Sequence, residues 1–312
     1  MKKFRVVFMG TPEFSVPCLS FLDKNFEVIA VFTQPDRPRG RGQKIQESPV
    51  KQYAVAHDIP VYQPQKIKQA ESVAKLRELA PDLMVVVAFG QILSQEILDI
   101  PPYGCINVHA SLLPLYRGAS PMQAVLMAGE KKTGVTTMRM DAGLDTGDIL
   151  VRRECAIGED MTLAELHDRL MVLGTDTLRE TLERLSDGTL TRTKQTGETS
   201  YAPLLTKETG HIDWKRSAAD LHNLVRALDS WPGAYTFLAG KKYKIWATHR
   251  TGEPTSAAPG TILRADKKTG LLVATGDEVL EVTSLQAPGK KRMAARDYLN
   301  GHAIALPAQF VF

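Results

Sequence analysis

Two rhythms of apolar and polar positions divide this chain. In its first part, short and nearly uninterrupted apolar runs, Phe4 to Met9, Phe26 to Thr33 and Leu83 to Phe89, read as buried strands. Helical stretches stand between them, one following Gly10-Thr-Pro-Glu-Phe14 through about Leu22 and another from Ser48 to His57, with Ser48 as N-cap and Pro49 at the first position. Strands alternating with helices predict an α/β domain, a Rossmann-like fold with a mostly parallel, doubly wound sheet. Val135 to Met140 and Ile149 to Ile157 alternate as strands around a Gly-rich turn from Asp141 to Asp148, which predicts a hairpin. Thr162 then caps a helix from Leu163 to about Leu185, whose leucines recur on one face and belong to the core.

The rhythm changes near residue 188. Asp187 to Thr206 is rich in Thr, Gly, Gln and Ser without regular apolar spacing, as in a linker. Beyond it, Ser217 to Leu228 has helical periodicity. Short runs around Tyr235, Ile245, Ile262, Leu272 and Val279 to Leu285, separated by Gly, Pro or Lys clusters, predict a small β-barrel. The expected boundaries are a first domain over 1–188, a linker over 189–206 and a second domain over 207–312.

A length of 312 residues suits two domains, and 43% hydrophobic with 24% charged residues is an ordinary globular balance that leaves function open. Charge changes the picture. The net +4 hides an asymmetry, with 22 basic against 24 acidic residues up to position 188, then 17 against 11. A basic second domain points to a polyanionic partner. Its clusters are Lys241, Lys242 and Lys244, then Lys290, Lys291 and Arg292, with Tyr243 and Trp246 placed either to stack on bases or to fill the barrel core. In the first domain, Gln34 to Lys44 combines helix breakers with Arg37, Arg39, Arg41 and Lys44, and reads as an exposed loop suited to ordering on phosphate contact. Cys18, Cys105 and Cys155 match neither a disulfide framework nor a zinc site, so a reducing compartment is expected. No apolar stretch has the length of a membrane span, and the run after Lys3 breaks too early for a signal peptide. A cytoplasmic protein without membrane contact, acting as a monomer, is expected.

Candidate chemistry gathers in Gly104 to Gly118. Cys105 to His109 can run as a strand, which puts Cys105, Asn107 and His109 on one face and Ile106 and Val108 on the other. Pro114 then forces an extended loop. In an open α/β sheet, ligands sit beyond the carboxyl ends of the strands, where Asn107 and His109 would lie. Gly10 also follows a strand, but Gly10-Thr-Pro-Glu-Phe14 lacks the further glycines of a dinucleotide turn. That argues against NAD and leaves Gly10 and Pro12 as a tight strand-to-helix turn.

The wider run, with Ser111-Leu-Leu-Pro114, Tyr116-Arg-Gly118 and Pro121, and Gly143-Leu-Asp-Thr-Gly-Asp148 downstream, resembles the formyltransferases that use 10-formyltetrahydrofolate. The resemblance extends over essentially the whole chain. It implies 10-formyltetrahydrofolate as formyl donor, no metal, catalytic roles for Asn107, His109 and Asp145, and a folate site along Ser111, Leu112, Leu113 and Pro114. Asp148 is left as a turn or helper residue. Within the family the tRNA-dependent members are most similar. That implies initiator methionyl-tRNA as acceptor and partner, contacts to it from Arg41 with Arg39 and Lys44, and an OB-like form for the second domain. The chemistry is consistent with the residue types: a formyl transfer needs donors for an oxyanion and a route for the amine's proton, which an Asn, a His and an Asp supply.

Two rival readings remain. One is a folate-dependent formyltransferase or hydrolase acting on an amino sugar or nucleotide precursor; the basic loop and basic second domain weigh against it. The other is a non-catalytic RNA-binding protein on the same fold, against which the intact Asn107, His109 and Asp145 argue.

Overall fold

The computed structural model describes residues 3–39 and 44–311, with the backbone alone at Pro38, Arg39 and Lys44. The first apolar run is β1 (Arg5–Gly10), followed by α1 (Val16–Asn25) and β2 (Glu27–Phe32). A short ribbon, β3 (Arg37–Arg39) and β4 (Lys44–Gln46), precedes α2 (Pro49–Ala56), β5 (Val61–Tyr62), α3 (Ala70–Leu79) and β6 (Leu83–Val87). Then come α4 (Gln95–Leu98), β7 (Cys105–His109), β8 (Arg117–Gly118), α5 (Pro121–Met127), β9 (Lys132–Arg139), β10 (Ile149–Ala156), α6 (Leu163–Ser186) and β11 (Tyr201–Ala202).

Two compact units share this chain. The first holds residues up to Pro121, with Lys132–Ala156 and His167–Ala202; the second holds Met122–Lys131, Ile157–Leu166 and everything from Pro203. Among the described residues, the sheet of the first unit runs β10-β9-β7-β6-β1-β2-β5. β5, β2, β1, β6 and β7 are parallel, while β9 and β10 are added antiparallel as the expected hairpin. The fold class is therefore the α/β one read from the sequence, with β7 an interior strand between β6 and β9.

Alternation sorts the side chains of these strands onto two faces. Cys105 joins Val7, Met9, Phe32, Met84 and Val86 in one apolar cluster. On the other face of β7, a Cβ built on Gly174 of α6 would lie 3.4 Å from Val108, so helix and strand pack at van der Waals distance. The stripe that holds α6 down is the one expected, with Leu166, Leu170, Leu178 and Leu182 fully buried. Gly10 is needed where expected: a Cβ there would come within 2.7 Å of the Phe8 ring and 3.0 Å of the Val87 carbonyl oxygen, which also accepts a hydrogen bond from Ser15 Oγ at 2.6 Å.

Ser48 caps α2 by accepting from the Lys51 amide at 3.1 Å, and its hydroxyl also meets Thr33 Oγ1 at 2.8 Å. Removing such a cap typically costs about 1 kcal/mol. Ser48→Ala is expected to lower the unfolding free energy by that amount, read as a lower urea midpoint with an unchanged m-value, and an unshifted midpoint would show that the cap contributes nothing.

Two stretches differ from their sequence readings. The ends of the basic loop pair as an antiparallel ribbon, with Arg37 opposite Gln46 and Arg39 opposite Lys44. Lys51 Nζ explains how its flanks are held together, reaching Asp36 at 2.5 Å and Glu47 at 3.0 Å. The stretch read as a linker is bound to the first unit as far as Ala202: Thr193 exchanges backbone hydrogen bonds with Ile149, and β11 pairs in parallel with β8.

The second unit begins its main stretch with α7 (Ala218–Leu228), capped by Ser217, and continues as β12 (Ala234–Leu238), β13 (Lys241–Pro254), β14 (Thr261–Asp266), β15 (Gly270–Ala274), β16 (Glu278–Gln286), β17 (Met293–Ala294), α8 (Ala295–Gly301) and β18 (Ala308–Gln309). Its antiparallel sheet runs β12-β13-β16-β15-β14-β18, with β17 on β16. A bridge from Phe237 in β12 to Val311 brings the two ends of that path together, so the sheet curls into a small barrel. Trp214 stacks on Phe310 inside it, at 5.5 Å between ring centroids. The two aromatic residues of the basic cluster take different roles. Tyr243 is core, with its hydroxyl 3.2 Å from that of Tyr298, whereas Trp246 is half-buried beneath the Lys244 and Arg292 cations. Among the described residues no helix is long and apolar enough to cross a membrane.

Candidate active site

β7 ends at His109, and the chain leaves the sheet with Asn107 and His109 on one face, 9% and 6% exposed. The turn between β9 and β10 brings Asp145 to the same point. Asn107 Nδ2 donates to Asp145 Oδ1 at 3.4 Å, and Asp145 Oδ2 lies 3.6 Å from His109 Nδ1. Asp145 Oδ2 also accepts from the Gly118 amide at 2.8 Å. His109 Nε2 is 3.0 Å from the Tyr116 carbonyl oxygen. A carbonyl can only accept, so that nitrogen carries hydrogen and Nδ1 is the ring atom turned to the carboxylate. All three residues singled out in the sequence are thus brought together, from positions up to 38 residues apart in the chain.

The conformation of the site is locally demanding. Asp145 has φ +54° and Tyr116 φ +59°, left-handed values that side-chain-bearing residues rarely adopt. At Gly118, φ is +110° and a Cβ would stand 2.7 Å from the Ala202 carbonyl oxygen, so β8 can approach β11 only with glycine there.

Ser111 to Pro114 is fixed from below. Thr136 Oγ1, fully buried on β9, donates to the Ser111 carbonyl at 2.7 Å and accepts from the Leu113 amide at 3.1 Å. Ser111 Oγ donates to the Leu115 carbonyl at 2.7 Å, and Arg152 donates to the Leu113 carbonyl at 3.1 Å. Leu113 is wholly buried against Met138 and Ile149, which leaves Leu112 and Pro114 as the half-buried side chains of the loop. The polar groups of Ser111 and Leu113 therefore shape the loop internally. Burial pushes the neighbouring Cys105 thiol up to about 12, so it stays protonated and is no nucleophile.

Thr136 and Gln195 were not singled out in the sequence, and Arg117 stood there only within the Tyr116-Arg-Gly118 run, with no role of its own. Thr136 had a readable cue, a hydroxyl inside an apolar strand; Gln195 had none, sitting in a polar stretch without periodicity. Of the basic-loop residues, Arg41 lies outside the described residues, while Arg39 and Lys44 face each other across the β3–β4 ribbon. Among the described residues there is no group of three or more His, Cys, Asp or Glu side chains that could hold a metal ion.

Comparison with known proteins bears on the family of the chain. The sequence pattern of the Formyl transferase family matches residues 3–182, and that of the Formyl transferase, C-terminal domain matches residues 204–303. Methionyl-tRNA formyltransferase of Clostridium botulinum is 52% identical over 96% of this chain and 97% of its own, and that of Geobacter metallireducens 53% over 96% of both. Among solved structures, the sugar 3N-formyl transferase WlaRD superposes with a TM-score of 0.67 at 19% identity, covering 93% of this chain and 100% of that one. An N-formyltransferase from Helicobacter canadensis, in complex with folinic acid and dTDP-3-aminofucose, gives 0.67 at 20%, covering 89% and 98%. At those identities the two structures speak for the fold alone; the half-identical sequences go further, and the chain belongs to the formyl transferase family, alongside the methionyl-tRNA formyltransferases.

Proposed function

We propose that this enzyme transfers the formyl group of 10-formyltetrahydrofolate to the α-amino group of methionyl-tRNA, giving formylmethionyl-tRNA for translation initiation in the cytoplasm. The observation that carries the acceptor is about 50% identity to methionyl-tRNA formyltransferases over nearly the entire length of both chains. The reactive amine needs little activation. A free α-amine titrates at about 7.7 to 8.0, and esterification of the adjacent carboxyl lowers that further, so the neutral form is present near pH 7.

In this reading the amine nitrogen attacks the formyl carbon, that carbon's bond to the folate nitrogen breaks, and the amine's proton ends on the departing nitrogen. Asn107 donates from Nδ2 to the oxygen that becomes negative. Asp145 faces the His109 imidazole, takes the amine's proton and passes it on to the departing nitrogen. Leu112 and Pro114 form apolar wall for the folate, on a loop made rigid by Thr136. Such pre-set donors matter because they need no reorganisation when charge develops. Arg41, with Arg39 and Lys44 on the ribbon, contacts the acceptor end of the tRNA, the basic second unit supplies further affinity, and the enzyme works as a monomer.

The test is incubation with 10-formyltetrahydrofolate and, separately, methionyl-tRNA, a non-methionyl aminoacyl-tRNA, free methionine and a nucleotide-linked amino sugar. Formylated product is expected with methionyl-tRNA. Product with free methionine or the amino sugar alone would overturn the acceptor, the second being the outcome expected of a sugar formyltransferase.

A further inference from the structure

We infer that Gln195 is a positioning residue for the reaction: its side-chain amide, oriented by Arg117, holds the turn that carries Asp145 in its working conformation. The inference rests on the reading of Asp145 as a catalytic residue. Gln195 Nε2 donates to two backbone carbonyls of the turn, those of Asp145 at 2.8 Å and Gly147 at 2.7 Å. Its Oε1 accepts from Arg117 twice, from Nε at 3.1 Å and Nη2 at 2.7 Å. Carbonyls only accept and a guanidinium only donates, so the amide has one possible orientation and no freedom to flip. Arg117 is itself buried, at 9% exposure.

The turn has reason to need such a hold. Asp145 sits at φ +54°, and a Cβ on Gly147 would lie 1.8 Å from the Arg139 carbonyl oxygen, so the backbone is confined on that side. Strained conformations of this kind persist only where surrounding bonds over-determine them. Besides its contacts to Asn107 and His109, Asp145 is held at two further points: Gly118 N–H donates to the carboxylate at 2.8 Å, and Gln195 donates to the carbonyl of the same residue. Arg117 and Gly118 are consecutive in β8, so one short strand sets both ends of the aspartate. A displacement of about 1 Å at a reacting group can lower a rate by 10².

Gln195→Glu is the discriminating variant. It keeps an acceptor for Arg117, and with it the burial of the guanidinium, but sets a carboxylate oxygen against the two turn carbonyls. We expect kcat to fall about 10- to 100-fold, with the KM values for 10-formyltetrahydrofolate and methionyl-tRNA nearly unchanged and a lower melting midpoint, since two carbonyls lose their donor. Gln195→Ala serves as the uncharged control, with a like loss in kcat. On an Asp145→Asn background, where the carboxylate is already gone, Gln195→Glu should cost less than about 2-fold more, because Gln195 acts only through Asp145. A rate equal to that of the unaltered enzyme in both Gln195 variants, or the same fold-loss on both backgrounds, would overturn the inference. Full activity in Asp145→Asn alone would instead remove the catalytic reading beneath it.

Discussion

Replacing Asn107 or His109 by alanine is expected to lower single-turnover formyl transfer by about 10² to 10³ while leaving the fold intact, the usual loss when one oxyanion donor or proton-handling group is removed. Both side chains are buried at the end of β7, yet neither belongs to the apolar cluster that Cys105 joins, so truncation removes chemistry before packing. His109→Ala also removes the 3.0 Å contact to the Tyr116 carbonyl, which keeps Ser111 Oγ at 3.4 Å. Rapid quench at saturating donor and acceptor separates chemistry from binding, and circular dichroism checks the fold. Near-normal turnover in both folded variants would remove this site from consideration.

The local grammar of the sequence made the placement of Asn107 and His109 legible, while their proposed roles, and that of Asp145, came from the resemblance to the family. A two-residue period fixes which face of β7 carries Asn107 and His109 whatever the strand later pairs with, and Pro114 fixes where the strand becomes a loop. The partners were another matter. Thr136 meets the Ser111 carbonyl across 25 residues and Gln195 meets Asp145 across 50, and nothing in a single sequence records such pairings. The same contrast holds for the fold. β1, β2, β6 and the leucine stripe of α6 are dense enough in apolar residues to be legible. α3 was missed because Val73 and Leu76 alone mark its buried side, and the β3–β4 ribbon because its pairing depends on Lys51 gathering flanks that read as loop.

The second large effect concerns salt. On β13, Lys242 and Lys244 alternate with buried Tyr243 and Ile245, so barrel folding itself lines these cations along the outer face. Lys242 lies 3.3 Å from the Tyr235 ring centroid, and partial burial, then its neighbours Lys244 and Lys207, pull its ammonium below the usual lysine range. An anion brought to this face relieves that crowding. Each phosphate neutralised adds a slope of about −0.7 to −0.9 in log affinity against log salt. The triple variant Lys241→Ala, Lys242→Ala, Lys244→Ala is therefore expected to flatten the slope for methionyl-tRNA by about 2 to 3 if all three cations meet phosphate. Between 50 and 200 mM salt, the unaltered protein would then lose roughly 20- to 40-fold more affinity than the variant. A titration at several salt concentrations reads this directly, and equal slopes would place the RNA contact elsewhere.

The interleaving of the two units bears on how the chain folds as it is made. Met122–Lys131 and Ile157–Leu166 belong with residues that begin only at Pro203. Emerging from the ribosome, they precede their partners, and Met127, packed against the core of the second unit in the finished protein, lacks that core in the interval. The first unit waits as well, because β8 has no neighbour until Tyr201–Ala202 arrives. A cut after Ala202 keeps every residue of the first unit in one piece, whereas no single cut does so for the second, whose early segments it would strand.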